Sequence, residues 1–209
     1  MHGASRQFCV NSDRLKGEEM DLDNILSELE QDGIRNDKVQ SDRTLKYLNI
    51  TKDTGEFLRV LALATCSSKI LEIGTSNGYS TLWLASSIPP DGTVTTIEYS
   101  DQKAKEALSN FERAGLVNKI ALLQGDAQAV LKNFSGQYDF IFLDADRSKY
   151  MDMIEDISRL LKNGGLIVCD NASSHESELA EFMNYLKSQK NFITSLVPVG
   201  KGEFLAYKS

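Results

Sequence analysis

A chain of 209 residues with 41% hydrophobic content is sized for one globular domain with a substantial core. Its formal net charge of -7 and pI near 5.0 give no basic footprint of the kind nucleic-acid binders carry, and no apolar run is long enough to span a membrane. Three cysteines (Cys9, Cys66, Cys169) without C-x-x-C spacing and two histidines (His2, His175) argue against zinc and against a disulfide framework. Nothing near the N-terminus has the apolar core of a signal peptide, so a cytoplasmic location is expected.

Residues 1–20 lack apolar periodicity and read as a disordered tail, with the domain proper over residues 21–209. From Asp21, the spacing of Leu22, Ile25, Leu26 and Leu29 predicts a helix that Gly33 would stop. A less regular segment with Leu45, Leu48 and Ile50 follows, and residues 21–50 together read as accessory helices. Their apolar stripe is expected to face another subunit or the substrate mouth. Thr51 or Thr54 can then cap a helix that carries Phe57, Leu58, Leu61 and Ala62.

The stretch KILEIGTSNGYST, residues 69–81, reads as a strand, a tight glycine turn and a helix N-terminus. In a parallel α/β sheet such a turn lies at the carboxyl edge, where backbone N–H groups are free to meet a nucleotide-like ligand. A dinucleotide fingerprint starting at Gly74 would need glycines at Ser76 and Tyr79, so pyrophosphate is disfavoured. The remaining pattern, Glu72-x-Gly74-x-x-x-Gly78, resembles the first motif of class I methyltransferases that bind S-adenosylmethionine. That resemblance implies a cofactor site built on Glu72, Gly74, Thr75, Ser76, Gly78 and Ser80, with the backbone at Gly74 and Thr75 near the methionyl part and Ser80 holding its carboxylate.

A helix from Tyr79 ends at the turn cluster of Pro89, Pro90, Asp91 and Gly92. The strand TVTTIE ends at Glu98, 24 residues after Gly74, close to the offset at which an acid meets ribose hydroxyls; a helix cap is the other reading. The next helix carries Ala104, Ala107, Leu108 and Phe111 inward, and a strand over residues 119–123 leads to Gly125 and Asp126. By the resemblance, Asp126 and Ala127 border the adenine base; a plain N-cap at Asp126 is as good a reading. The runs YDFIFLDAD and GLIVCDN read as strands buried on both faces, separated by a helix over residues 147–161 that Gly164 and Gly165 would stop. A further helix to about Lys187 precedes FITSLVPV and EFLAY, which read as a hairpin. The fold expected is a doubly wound, mostly parallel seven-stranded sheet with a C-terminal antiparallel hairpin.

Asp144 ends the fourth strand, and Asp170 with Asn171 ends the fifth, 26 residues later. Three oxygen donors without His or Cys suit magnesium, calcium or manganese; helix caps and a turn are the plain alternative. Together with the glycine turn, LDAD and DN resemble the cation-dependent O-methyltransferases, the group of the catechol and caffeoyl-coenzyme A enzymes. The resemblance covers residues 51–207 and implies Asp144, Asp170 and Asn171 as metal ligands, with Asp144 also at the cofactor and the reacting centre. It further implies a homodimer and a small hydroxylated aromatic substrate.

Two departures bear on mechanism. The family usually carries a lysine three residues after the first aspartate, as candidate base; this chain has Arg147, which stays protonated. Lys149 and His175 are then the nearby candidates, histidine being the residue type that exchanges protons near neutrality. The segment after Asn171 lacks the aromatic residue of caffeoyl-type enzymes, so substrate identity does not transfer. The acidic net charge makes methylation of a hydroxylated transfer-RNA base a second choice, and the missing lysine keeps a non-catalytic S-adenosylmethionine binder in view.

Overall fold

The structure, a computed structural model, describes residues 15–209, with side chains from Leu22 onward. The tail expected over residues 1–20 lies outside the described residues up to position 14, whereas residues 15–20 begin helix α1 (Leu15–Val39). The helix runs through Gly33. Its last turns are docked by the following loop: Asn36 Oδ1 accepts from Tyr47 N at 3.0 Å, Asp37 Oδ1 accepts from Leu48 N at 3.2 Å, and Asn49 Nδ2 donates to the Leu29 carbonyl at 3.1 Å. Three such bonds outweigh the roughly 1 kcal/mol that one glycine costs a helix. The expected second accessory helix is a single 3-10 turn (Arg43–Leu45) and extended chain.

Leu22, Ile25, Leu26 and Leu29 are all buried within the chain. They share one cluster with Leu58 of α2 (Lys52–Ala64), Trp83 of α3 (Tyr79–Ala85) and Phe111 of α4 (Asp101–Arg113). This corrects the expectation that the stripe faces a second subunit or the substrate mouth, because the apolar surface behind it is already covered. Leu108, expected inward on α4, is exposed, while Ala104, Ala107 and Phe111 are buried.

Five parallel strands, β1 (Lys69–Ile73), β2 (Thr93–Glu98), β3 (Ile120–Gln124), β4 (Tyr138–Leu143) and β5 (Leu161–Cys169), are completed by antiparallel β6 (Phe192–Val197) and β7 (Glu203–Lys208). The order is β3-β2-β1-β4-β5-β7-β6. Alternate residues of the central strands feed opposite faces: Ile70, Phe140 and Val168 join the cluster under α1 to α4. Leu71, Ile141 and Ile167 join the other, under α6 (Tyr150–Leu160) and α7 (Glu176–Ser188), which α5 (Ala127–Asn133) also flanks. That two-sided burial is why these strands are apolar throughout. Gly164 and Gly165, expected to stop α6, lie instead inside β5, where pairing with β4 shifts register between Tyr138 and Phe140. Because β2 and β4 flank β1, the chain reverses direction there, and a crevice opens beyond the carboxyl ends of β1 and β4.

Candidate active site

The turn after β1 is shaped by contacts that leave no room for side chains. A Cβ on Gly74, whose φ is +101°, would lie 2.1 Å from the Asp144 carbonyl oxygen, and one on Gly78, at φ +90°, would lie 2.5 Å from Phe111 Cε1. Backbone therefore packs against backbone at Gly74, and the loop from Gly74 to Ser76 borders a cavity of about 880 Å³. That volume suits a nucleoside-sized ligand with a second small molecule beside it.

Glu72 does not line this cavity. Fully buried, it accepts hydrogen bonds from Ser80 Oγ at 2.6 Å, from Thr96 Oγ1 at 2.6 Å and from Thr81 Oγ1. Burial nevertheless pushes its carboxyl up to about 7, the three hydroxyl donors offsetting only part of the desolvation. The Ser80 hydroxyl lines the cavity and donates its proton to Glu72, which ties it to the underside of the turn as well.

Glu98 is 8% exposed at the end of β2 and does line the cavity. Oε2 accepts from Ser76 N and Oε1 from Ser100 N, both at 2.8 Å, so this acid ties the glycine turn to the start of α4. A carboxylate offers about four lone-pair positions, and two remain for a ligand. Asp126 caps α5 through a 3.0 Å bond from Ala129 N, as the N-cap reading expects, and with Ala127 it also lines the cavity.

Asp144 and Asn171 line the same cavity, one beyond β4 and the other beyond β5. Asp170 sits just behind, 5% exposed, and accepts a hydrogen bond from Asn171 Nδ2. Burial, then the charges of Asp170 and Glu72, holds the Asp144 carboxyl well above the usual range. Crowded, desolvated acids fit a cation, which would remove the repulsion. The donor chemistry also fits a hard ion, with two acids and an amide oxygen available. Among the described residues, no group of three His, Cys, Asp or Glu converges as a metal site.

Arg147 follows in a 3-10 turn (Arg147–Lys149), its side chain only 10% exposed, with Nε donating to Glu178 Oε2 of α7 at 2.9 Å. His175 lies at the N-cap position of α7, with Nδ1 2.9 Å from Ser174 Oγ. Both line the cavity, as do Gly74, Thr75, Ser76 and Lys149, whereas Glu72, Gly78 and Asp170 do not. The loop after α1 was missed as a wall. Tyr47 accepts from Ser76 Oγ at 2.7 Å through its carbonyl, and Arg43, Leu48 and Asn49 line the cavity with it. Tyr99 and Lys201 also belong; an aromatic directly after the strand-end acid Glu98 was the available signal for Tyr99.

The sheet order, the switch-point crevice and the acid at the end of β2 define a Rossmann-like methyltransferase fold. The profile of the family described as O-methyltransferase matches residues 20–209, and the chain belongs to that family. It is 37% identical over 128 residues to a catechol O-methyltransferase of Niastella koreensis, covering 59% of this chain and 58% of that one. It is 31% identical over 169 residues to caffeoyl-CoA O-methyltransferase 1 of Zea mays, covering 76% and 66%. The chain thus spans about three fifths to two thirds of those relatives' lengths. An O-methyltransferase from Bacillus cereus, solved in complex with SAH, superposes with a TM-score of 0.76 at 25% identity, covering 89% of this chain and 91% of that one.

Proposed function

We propose that the protein transfers the methyl group of S-adenosylmethionine to a hydroxyl oxygen of a small, catechol-like aromatic compound, with a divalent cation at Asp144, Asp170 and Asn171. The observation that carries this reading is one cavity shared by Gly74, Glu98, Asp144 and Asn171, which joins a nucleoside half to an oxygen-donor half. The relatives named for O-methyl transfer support the chemistry. The Bacillus cereus complex supports the cofactor, SAH being what remains once the methyl has left.

In this reading the backbone at Gly74 and Thr75 borders the methionyl part, Glu98 accepts the ribose hydroxyls, and Asp126 and Ala127 border the base. A cation held by Asp144, Asp170 and Asn171, magnesium first and calcium or manganese next, would favour the ionised form of a bound hydroxyl. Arg147 stays protonated, and Glu178 holds it in place to orient the substrate oxygen. The oxygen–carbon bond forms as the sulfur–carbon bond breaks. The hydroxyl proton leaves to His175, whose Nε2 makes no hydrogen bond among the described residues, with Lys149 the other candidate. Among the described residues no helix is long and apolar enough to cross a membrane. A cytoplasmic homodimer remains part of the proposal, its contact placed away from the covered stripe of α1.

The test is transfer of labelled methyl from S-adenosylmethionine to catechols and to transfer RNA, with magnesium or with a chelator. Label in a methylated catechol, lost on chelation, is the expected result. Label in RNA alone would move the substrate class, and tight cofactor binding without transfer to either would mark a non-catalytic binder.

A further inference from the structure

The turn that joins β6 to β7 reads Gly200-Lys201-Gly202, and its neighbours hold it on both sides. Gly200 N donates to Asp53 Oδ2 at 3.0 Å, which ties the turn to the start of α2. The Lys201 carbonyl accepts from Ser173 N at 3.2 Å and from Ser174 N at 3.0 Å, and the Gly202 carbonyl accepts from Ala172 N at 2.7 Å. A Cβ on Gly200 would run into Thr54 Oγ1 and one on Gly202 into Ser173 Oγ, so both flanking positions, at φ +56° and +95°, are closed to side chains. The backbone of Lys201 is thus fixed against the segment that directly follows Asn171, and Lys201 lines the cavity.

Most charges around this half of the cavity are already committed. Glu178 accepts from Arg147 Nε, and Asp146 accepts from Ser148 N at 3.1 Å and from Ser148 Oγ at 2.7 Å. Arg43, Lys149 and Lys201 also line the cavity, and they form no ion pair among the described residues. Arg43 stands near the Arg147–Glu178 pair: the Arg147 bond holds the Glu178 carboxyl below its usual range, and the charge of Arg43 adds to that effect. In a chain of net charge -7, three unpaired cations on one cavity are a local reversal of sign. A cleft lined by one sign of charge concentrates ligands of the other. The cavity of about 880 Å³ must also take the cofactor, so the remaining space suits a compact ring with a short charged substituent.

We propose that Lys201 is a specificity-determining residue: presented by the clamped glycine turn at the oxygen-donor half of the cavity, its ammonium selects hydroxylated aromatic compounds that carry a carboxylate. The inference deepens the methyl-transfer reading above by naming the substrate class, and it rests on that reading. Arg43 and Lys149 raise the local potential, and the contact from Lys201 supplies the discrimination. A lysine suits the task, being a compact charge on a long flexible stem that meets a carboxylate without demanding a forked geometry.

Calorimetric titration of protocatechuate and of its neutral amide into the full chain, with SAH and magnesium present, tests this. The two probes share the catechol ring and differ in the charge of one substituent. The wild-type chain is expected to bind the acid about tenfold or more tightly than the amide, the scale of one charge-assisted hydrogen bond. In Lys201→Gln that preference should fall to within about twofold of unity, whereas Lys201→Arg, which keeps the charge, should hold it within about threefold of wild type. A merely structural role for the turn would weaken both probes alike and leave the preference in place. A wild-type chain without preference for the acid, or a Lys201→Gln chain that retains it, overturns the proposal. Caffeoyl-CoA, whose negative charge lies on a distant phosphate-bearing tail, is the third probe. If it binds more tightly than protocatechuate and Lys201→Gln weakens it as much, the anion read is phosphate and the carboxylate assignment is overturned. A chain that binds SAH but none of the three probes brings down the catechol reading itself, and this inference with it.

Discussion

Gly74 and Asp144 meet where the two halves of the cavity join: a Cβ on Gly74 would lie 2.1 Å from the Asp144 carbonyl oxygen. Because the obstacle is backbone, Gly74→Ala cannot be relieved by a rotamer change, and its φ of +101° adds about 1–3 kcal/mol of strain. At Gly78, whose φ is +90°, the obstacle is a side chain rather than backbone, the buried Phe111 ring at 2.5 Å. Urea unfolding should therefore show a larger loss for Gly74→Ala than for Gly78→Ala, with cofactor binding lost in the former. Equal losses would contradict the backbone contact.

Glu98 has two tasks, tying Ser76 N to Ser100 N and facing the cavity. Glu98→Ala should weaken S-adenosylmethionine binding by about 1.5–3 kcal/mol, the range for hydrogen bonds to a charged group. Calorimetry reads this directly, and an unchanged affinity would remove Glu98 from the site.

Strand positions were legible because burial on both faces demands continuous apolar runs, as in YDFIFL and LIVC, and because acids at strand ends stand out against them. Glu98, Asp144 and Asn171 therefore fell on one edge as read. What failed depended on contacts distant in sequence. Gly33 looks like a helix stop until Tyr47, Leu48 and Asn49 fold back on the last turns of α1. The stripe at Leu22 looks unpartnered until Trp83 and Phe111 arrive from other helices. Ser80 keeps its place on the cavity wall, and its donation to Glu72 was not legible because only the folded chain brings the two together.

Glu72 gives a pH prediction with a definite sign. Its carboxyl rises from the ordinary 4.5 to about 7 in the folded chain, so between those values the folded state holds a proton that the unfolded state has lost. The associated stability is fully present below pH 4.5 and declines as pH rises through 7, by about 3 kcal/mol over the window at 1.36 kcal/mol per pH unit. Glu72→Gln cannot ionise, so its stability relative to the parent should improve steadily from pH 4.5 to pH 7. Parallel stability curves from denaturant titrations across that range would show that the carboxyl is not held neutral.

Asp170→Ala and His175→Ala separate the cation from the proton acceptor. Asp170 lies behind the cavity wall in contact with Asn171, and Glu98 lies at the other end of the cavity. Asp170→Ala should therefore abolish magnesium-dependent methylation while leaving S-adenosylmethionine affinity nearly intact. His175→Ala should instead leave magnesium affinity level, lower the rate by about 10²–10⁴ and erase the acid-side limb of the pH–rate profile, as loss of a general base does. The contrast matters because Arg147 cannot accept a proton, and its Nε is bound to Glu178. If His175→Ala keeps both rate and profile, and the profile moves when manganese replaces magnesium, the cation alone acidifies the hydroxyl and His175 is a helix-end residue. Full-rate methylation under chelation would return Asp144, Asp170 and Asn171 to the role of buried strand-end polar groups.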